Sequence, residues 1–329
     1  MKKNGFSLLE LMISMFIGIL ILGGVIATYV SMKVTTRDTM AIGEMQETGR
    51  LALSILQRDI EQIGFWGTFY DEGFTEENVE SVANPNNDCF GGLNNGSFPD
   101  ETPTNFRPVY AEVSDGSNVL DCIGDSVKNT DVIQLKLLEG NPVTIDEGKA
   151  QDINRNRFYF IADQERAEFV SGASPINVPT VNSTVWPYSH HVYYLTTEEI
   201  TINNIKRDIP ILKRLRLTAS GMFQEPVMEG IEDFRLVFGL DTNGDYRVDT
   251  YRSTPDMSTS NWENDDGILT VQIYLLVRAL EPDPGLKLNS RTYTLGFDAD
   301  RRTHTFSDNY RRTVFSTTIR LNGTMAWRI

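Results

Sequence analysis

One stretch constrains this chain more than any other. From Leu11 to Val30 the sequence reads LMISMFIGILILGGVIATYV, with no charged residue. As a helix rising 1.5 Å per residue, such a run reaches ~30 Å, the thickness of a bilayer's hydrocarbon core. Lys2 and Lys3 precede it. Lysines stay on the cytoplasmic side, so the N-terminus is expected inside and the rest of the chain outside. A removable secretory signal fits poorly, because the run is longer than a signal core and Ile26-Ala27-Thr28-Tyr29 offers no small-x-small cleavage site. Glu10 sits at the start of the run. An unpaired carboxylate at a membrane edge costs a few kcal/mol, so this one marks either a functional partner or a place in the headgroup zone.

The helical pattern continues past the apolar run. No proline falls between Lys33 and Ile63, and Ala52, Ile55, Leu56, Ile60 and Ile63 recur at three- and four-residue steps. Arg50, Gln57, Arg58, Asp59 and Glu61 are expected on the opposite, solvated face. Gly64 ahead of Phe65-Trp66-Gly67 is the stop signal. One helix from Phe6 to Ile63 is therefore expected, ~87 Å long. Its first half requires lipid or other apolar helices, and its second half a globular head.

Residues 67–130 are dense in Asn, Gly, Pro, Asp and Ser and read as irregular. They contain the two cysteines of the chain, Cys89 and Cys122. Outside the cytoplasm the pair reads as a disulfide, which adds ~3 kcal/mol by closing a loop of about thirty residues. From Asp131 onward, alternating runs rich in β-branched and aromatic residues predict strands at 131–137, 157–161, 191–195, 211–217, 234–238, 269–277 and 314–321. No long helical pattern interrupts them, so the expected class is α+β with mainly antiparallel sheets.

No catalytic motif stands out. His190-His191 begins a strand, where neighbouring side chains point to opposite faces and do not converge on one metal. The sharpest cluster is Asp241, Asn243, Asp245 and Asp249, oxygen ligands at spacings that suit calcium. Tyr246 and Arg252 stand where an EF-hand loop has its glycine and its closing glutamate. The competing reading is a polar hairpin turning at Asn243-Gly244. No cofactor is required, and calcium is the one candidate. Lys and Arg number 30 against 45 Asp and Glu, a net charge of −15 that disfavours direct nucleic-acid binding. The basic segment Arg301–Arg312 is expected to pair with the protein's own carboxylates.

Met1-Lys2-Lys3-Asn4-Gly5-Phe6-Ser7-Leu8-Leu9-Glu10 resembles the leader of type IV prepilins. The resemblance implies cleavage by a prepilin peptidase between Gly5 and Phe6, and N-methylation of Phe6. It also gives Glu10 a partner, the N-terminal amine of an adjacent subunit. Ala27 stands where many major pilins carry a helix-bending proline, which argues against a major subunit. Gly49–Ile60 followed by Gly64-Phe65-Trp66-Gly67, Glu229–Phe234 leading into the Asp241 loop, and Tyr310–Thr318 resemble PilW-type minor pilins. That resemblance implies a type IV pilin fold and a non-enzymatic role in initiating pilus assembly, at or near the pilus tip. The implied partners are other minor pilins and the major pilin through the N-terminal helix, and a tip adhesin-like protein. The implied location is the inner membrane, single-pass with a periplasmic head, before assembly and the cell surface after it. The expected organisation is a leader at 1–5, a transmembrane half-helix at 6–32, an amphipathic half-helix at 33–66, the irregular region at 67–130 and a β-rich head at 131–329. Two other readings compete: a minor pseudopilin of a type II secretion system, and a membrane-anchored calcium-dependent binding protein or hydrolase.

Overall fold

The computed structural model describes residues 7–70, 74–75, 77–100, 105–202, 204–263, 267–286, 289–297 and 300–321. A single helix, α1, runs Leu8–Ile60, 53 residues without a break. Ser7 caps its start, and Glu61 ends it ahead of Gly64, whose φ of 79° turns the chain away. The helix thus stops three residues before the expected Ile63. Its two halves live in different surroundings. Nearly every side chain from Leu8 to Met40 is exposed, and this half holds the one span apolar enough to cross a membrane among the described residues. From Met45 on, one stripe is buried: Met45, Gly49, Ala52, Leu56, Asp59 and Ile60.

That stripe lies on a four-stranded antiparallel sheet ordered Thr250–Ser253, Ile231–Leu240, Ile268–Arg278, Arg312–Arg320. Alternation along these strands sends Phe234, Leu236, Phe238, Val271, Ile273, Leu275 and Ile319 into one core with the helix stripe. A larger sheet of eight strands borders the same core. Its spine is Thr184–Ile202, which pairs with Phe158–Ala162, with Asp131–Leu138 and, along its second half, with Ile205–Thr218. Val109–Val113 and Gly221–Glu229 add to this sheet as further antiparallel strands, and Ala167–Ser171 pairs with Phe158–Ala162. The short strand Val79–Glu80 runs parallel to Ala167–Ser171. A small hairpin, Arg291–Leu295 with Arg302–Phe306, completes the head's C-terminal part.

The irregular region is not a loose appendage. Every residue of Asp131–Leu138 is buried. Ile133, Leu135 and Leu137 face the helix-side core, so Val132, Gln134 and Lys136 point the other way, under the irregular region. Beside it, Trp66, Phe69, Phe98, Phe106, Phe160, Phe169 and Tyr188 form an aromatic nest just beyond the helix's end. Cys89 and Cys122 are joined, with Cα atoms 5.0 Å apart.

Candidate functional site

The membrane end of α1 carries the first candidate. Gly5 and Phe6 lie outside the described residues. Glu10 is exposed and closes a capping box: the Glu10 carboxylate accepts the Ser7 backbone N–H at 3.0 Å, and Ser7 Oγ accepts the Glu10 N–H at 3.2 Å. A carboxylate in the first helical turn also suits the positive end of the helix dipole.

The other end of the same helix carries a carboxylate that sequence reading misplaced. Asp59 was expected on the solvated face, but it is 3% exposed. His191 Nδ1–H donates to Asp59 Oδ2 at 2.6 Å and the Tyr193 hydroxyl donates to it at 2.5 Å. Arg214 lies 3.6 Å away and itself donates to Tyr193. Burial works to raise the Asp59 pKa, but the bond from His191, with Tyr193 and Arg214, holds it below the ordinary carboxylate range. The signal that was available is its position: Asp59 falls three residues after Leu56, on the buried stripe.

Two further contacts set how the helix docks. Gly49 lies under the ring of Phe315, and a Cβ there would come within 2.5 Å of that ring. Lower down, Arg37 meets Asp283 at 3.2 Å, and Arg311 bridges Asp38 and Asp283 at 3.0 and 2.5 Å. Helix and head are therefore joined by a close packing point, a buried polar cluster and an ion network.

Under the irregular region the polar atoms form a closed network. Lys136 Nζ donates to the Asn95 carbonyl at 2.7 Å, Asn95 Nδ2 to Gln134 Oε1 at 2.9 Å, and Gln134 Nε2 to the Cys89 carbonyl at 2.6 Å. Burial pushes the Lys136 pKa down to about 7. A serine, a histidine and an aspartate also meet here. Ser97 Oγ donates to Asp88 at 2.6 Å and so accepts from His190 Nδ1 at 2.9 Å. In a nucleophilic triad the hydroxyl's proton goes to the histidine. Here it goes to the carboxylate, and Ser97 and His190 are fully buried, so the arrangement serves packing. His190 and His191 point to opposite sides of their strand.

The Asp241 loop connects Ile231–Leu240 to Thr250–Ser253. Its side-chain oxygens engage the loop's own donors. Asp241 accepts the N–H groups of Asn243, Gly244 and Tyr246, and Asp245 accepts that of Arg247. Asn243 Oδ1 accepts from the Asp245 N–H, and Asp249 from Thr242 and Asn243. Among the described residues, no group of three or more His, Cys, Asp or Glu side chains is arranged to hold a metal ion. The basic segment pairs internally. Arg302 bridges Asp131 and Asp233 at 2.6 and 2.8 Å, and Arg312 holds Glu232 and Asp308.

Residues 192–323 match the family model of the type IV pilus-assembly protein W, and residues 1–26 match the prokaryotic N-terminal methylation motif. No curated protein and no solved structure matches the chain. The first match covers the second half of the spine strand and the whole sheet on which α1 docks, and the second covers the start of α1 as far as Ile26. Over residues 192–323 the chain is thus similar to the type IV pilus-assembly protein W, and with its prepilin-type methylation motif this associates it with the type IV pilus.

Proposed function

We propose that the chain is a minor pilin that helps to initiate type IV pilus assembly and takes a place at or near the pilus tip. One observation carries this reading: the methylation motif and the W-family region occur in one chain, and the 53-residue helix that starts within the motif docks on the W-family sheet with its apolar half uncovered. A helix of that build is made to enter a bundle of similar helices. On this reading a prepilin peptidase cuts between Gly5 and Phe6. Glu10 then exchanges its capping role for the N-terminal amine of a neighbouring subunit, since either charge alone is costly to bury. The chain begins as a single-pass inner-membrane protein with a periplasmic head, where oxidation joins Cys89 to Cys122. It ends on the cell surface, among other minor pilins, the major pilin and a tip adhesin-like protein.

The test combines mass spectrometry of the mature N-terminus with pilus counts. An N-methylated Phe6 and a deletion strain with few or no pili are the expected results. Retention of Lys2 and Lys3 on the membrane-bound protein overturns the reading. A deletion that stops protein secretion and leaves pili intact moves the chain to a type II secretion system.

A further inference from the structure

The edge of a sheet presents a row of N–H and C=O groups that can template another strand, and proteins normally blunt it. Most edges of the two main sheets here are blunted. Val79–Glu80 has two residues, Thr250–Ser253 four and Val109–Val113 five. Gly221–Glu229 is longer, but Pro226 lacks an N–H and the ladder shifts register between Pro226 and Met228. Arg312–Arg320 differs. Its nine residues pair with Ile268–Arg278 without a register shift. Between its terminal arginines the run Thr-Val-Phe-Ser-Thr-Thr-Ile holds no proline, glycine or charge.

The ladder fixes which groups face outward. The Ala279 N–H donates to the Arg311 carbonyl and the Leu321 N–H to the Leu269 carbonyl, each at 2.9 Å. The odd-numbered residues of Arg312–Arg320 therefore bond inward, and the even-numbered ones turn N–H and C=O outward. The outward backbone groups of Val314, Ser316 and Thr318 meet no partner among the described residues, and Ser316 and Thr318 are exposed. Donors and acceptors in strand register call for an extended segment. Val314, Ser316 and Thr318 suit Thr, Val or aromatic residues opposite them, and Arg320 suits an acidic one. A second copy fits poorly. Asp38 meets Arg311 and Gly49 meets Phe315, so α1 runs in the same direction as this strand. Antiparallel pairing of two copies points their apolar half-helices in opposite directions, and parallel pairing is less stable per residue.

We infer that Arg312–Arg320 takes an extended segment of a different polypeptide as the next strand of the sheet under α1. This goes beyond the assembly reading and does not depend on it. The experiment places a photo-reactive amino acid in turn at Val314, Ser316 and Thr318 of the full-length chain, in cells that express it natively. The three adducts are expected on one partner chain, at positions that step by about two residues along a single segment, the signature of strand pairing. Ser316→Pro removes an outward N–H and no bond of the existing ladder. It should leave the amount of chain unchanged and lower the adduct from position 318 ~tenfold, as expected for one lost bond and an unsatisfied carbonyl opposite it. Ser316→Val, which keeps the N–H, should preserve that adduct. If Ser316→Pro lowers the amount of chain, the stepping of the three adducts decides alone. Scattered adducts, no adduct, adducts confined to a second copy or to residues 322–329 of the same chain, or full yield in Ser316→Pro chain of normal abundance overturns the docking edge. The count of pili in a deletion strain tests the assembly reading separately.

Discussion

Glu10 near one end of α1 and Asp59 near the other are solved in opposite ways. Glu10 is exposed and bonded only within its own first turn. Asp59 is buried and satisfied by His191 and Tyr193, with Arg214 beside them. On the proposed function, the first is a charge kept for an outside partner. The second has all its partners within the chain. Loss of Asp59 should therefore damage folding, whereas loss of Glu10 should damage assembly.

The sharpest way to break this comparison is Asp59→Ala. It strands the buried donors around it and should destabilise the full chain in detergent by about 3–5 kcal/mol, read from denaturant midpoints. Asp59→Leu should cost less, because it fills the space left by the carboxylate. An unchanged midpoint in Asp59→Ala would show that the cluster does not hold the helix. Cys89→Ser should cost ~3 kcal/mol while membrane insertion continues, since α1 lies outside the closed loop. Full labelling of both thiols in native protein contradicts that.

Acid should act on the same head. Burial holds the His190 pKa down at about 4, against 6.5 when free. The unfolded chain takes up this proton below 6.5 and the folded chain does not. Stability is thus lost as pH falls from 6.5 towards 4, by up to ~3 kcal/mol at 1.36 kcal/mol per unit. Lys136 acts on the alkaline side. Between about 7 and 10.5 the unfolded chain keeps the lysine proton that the folded chain has released, so stability rises with pH in that window. Lys136→Met should flatten this rise in melting temperature against pH and reduce the acid limb only in part, because burial is the first cause of the lowered His190 pKa and the Lys136 charge a lesser one.

Gly49→Ala should cost ~1–3 kcal/mol, the usual range for overpacking, because the added methyl meets the Phe315 ring. Phe315→Leu in the same chain should recover part of the loss. The smallest effect on stability is expected from Glu10→Ala, whose denaturation midpoint should match the wild type while its incorporation into pili falls. Wild-type incorporation would end the contrast drawn above.

Much of this architecture was legible in the sequence. The apolar run, the amphipathic stripe and each of the seven strand signals coincide with elements of the fold, because period and burial are local properties. Less visible were features that depend on what lies opposite. Alternation of Ile133, Leu135 and Leu137 implied a polar outer face, but Gln134 and Lys136 are covered by a loop region that carries no periodic signal. The strand Gly221–Glu229 was missed because Pro226 and a register shift break its pattern. Asp59 was assigned to water by residue type alone. Only the partners on strands Thr184–Ile202 and Ile205–Thr218 show why an acid sits on a buried stripe.

The contact between Gly49 and Phe315 joins an early part of the chain to its last described strand. If the head lies in the periplasm, as proposed, the sheet on which α1 rests is unfinished until Arg312–Arg320 has crossed the membrane and paired with Ile268–Arg278. On that reading the lower half of α1 is by then inserted while its upper half lacks a surface to rest on. On the same reading, docking of the helix reports completion of export. A truncated or stalled chain cannot form the Phe315 contact, and its exposed upper stripe sets it apart from a finished subunit before assembly begins.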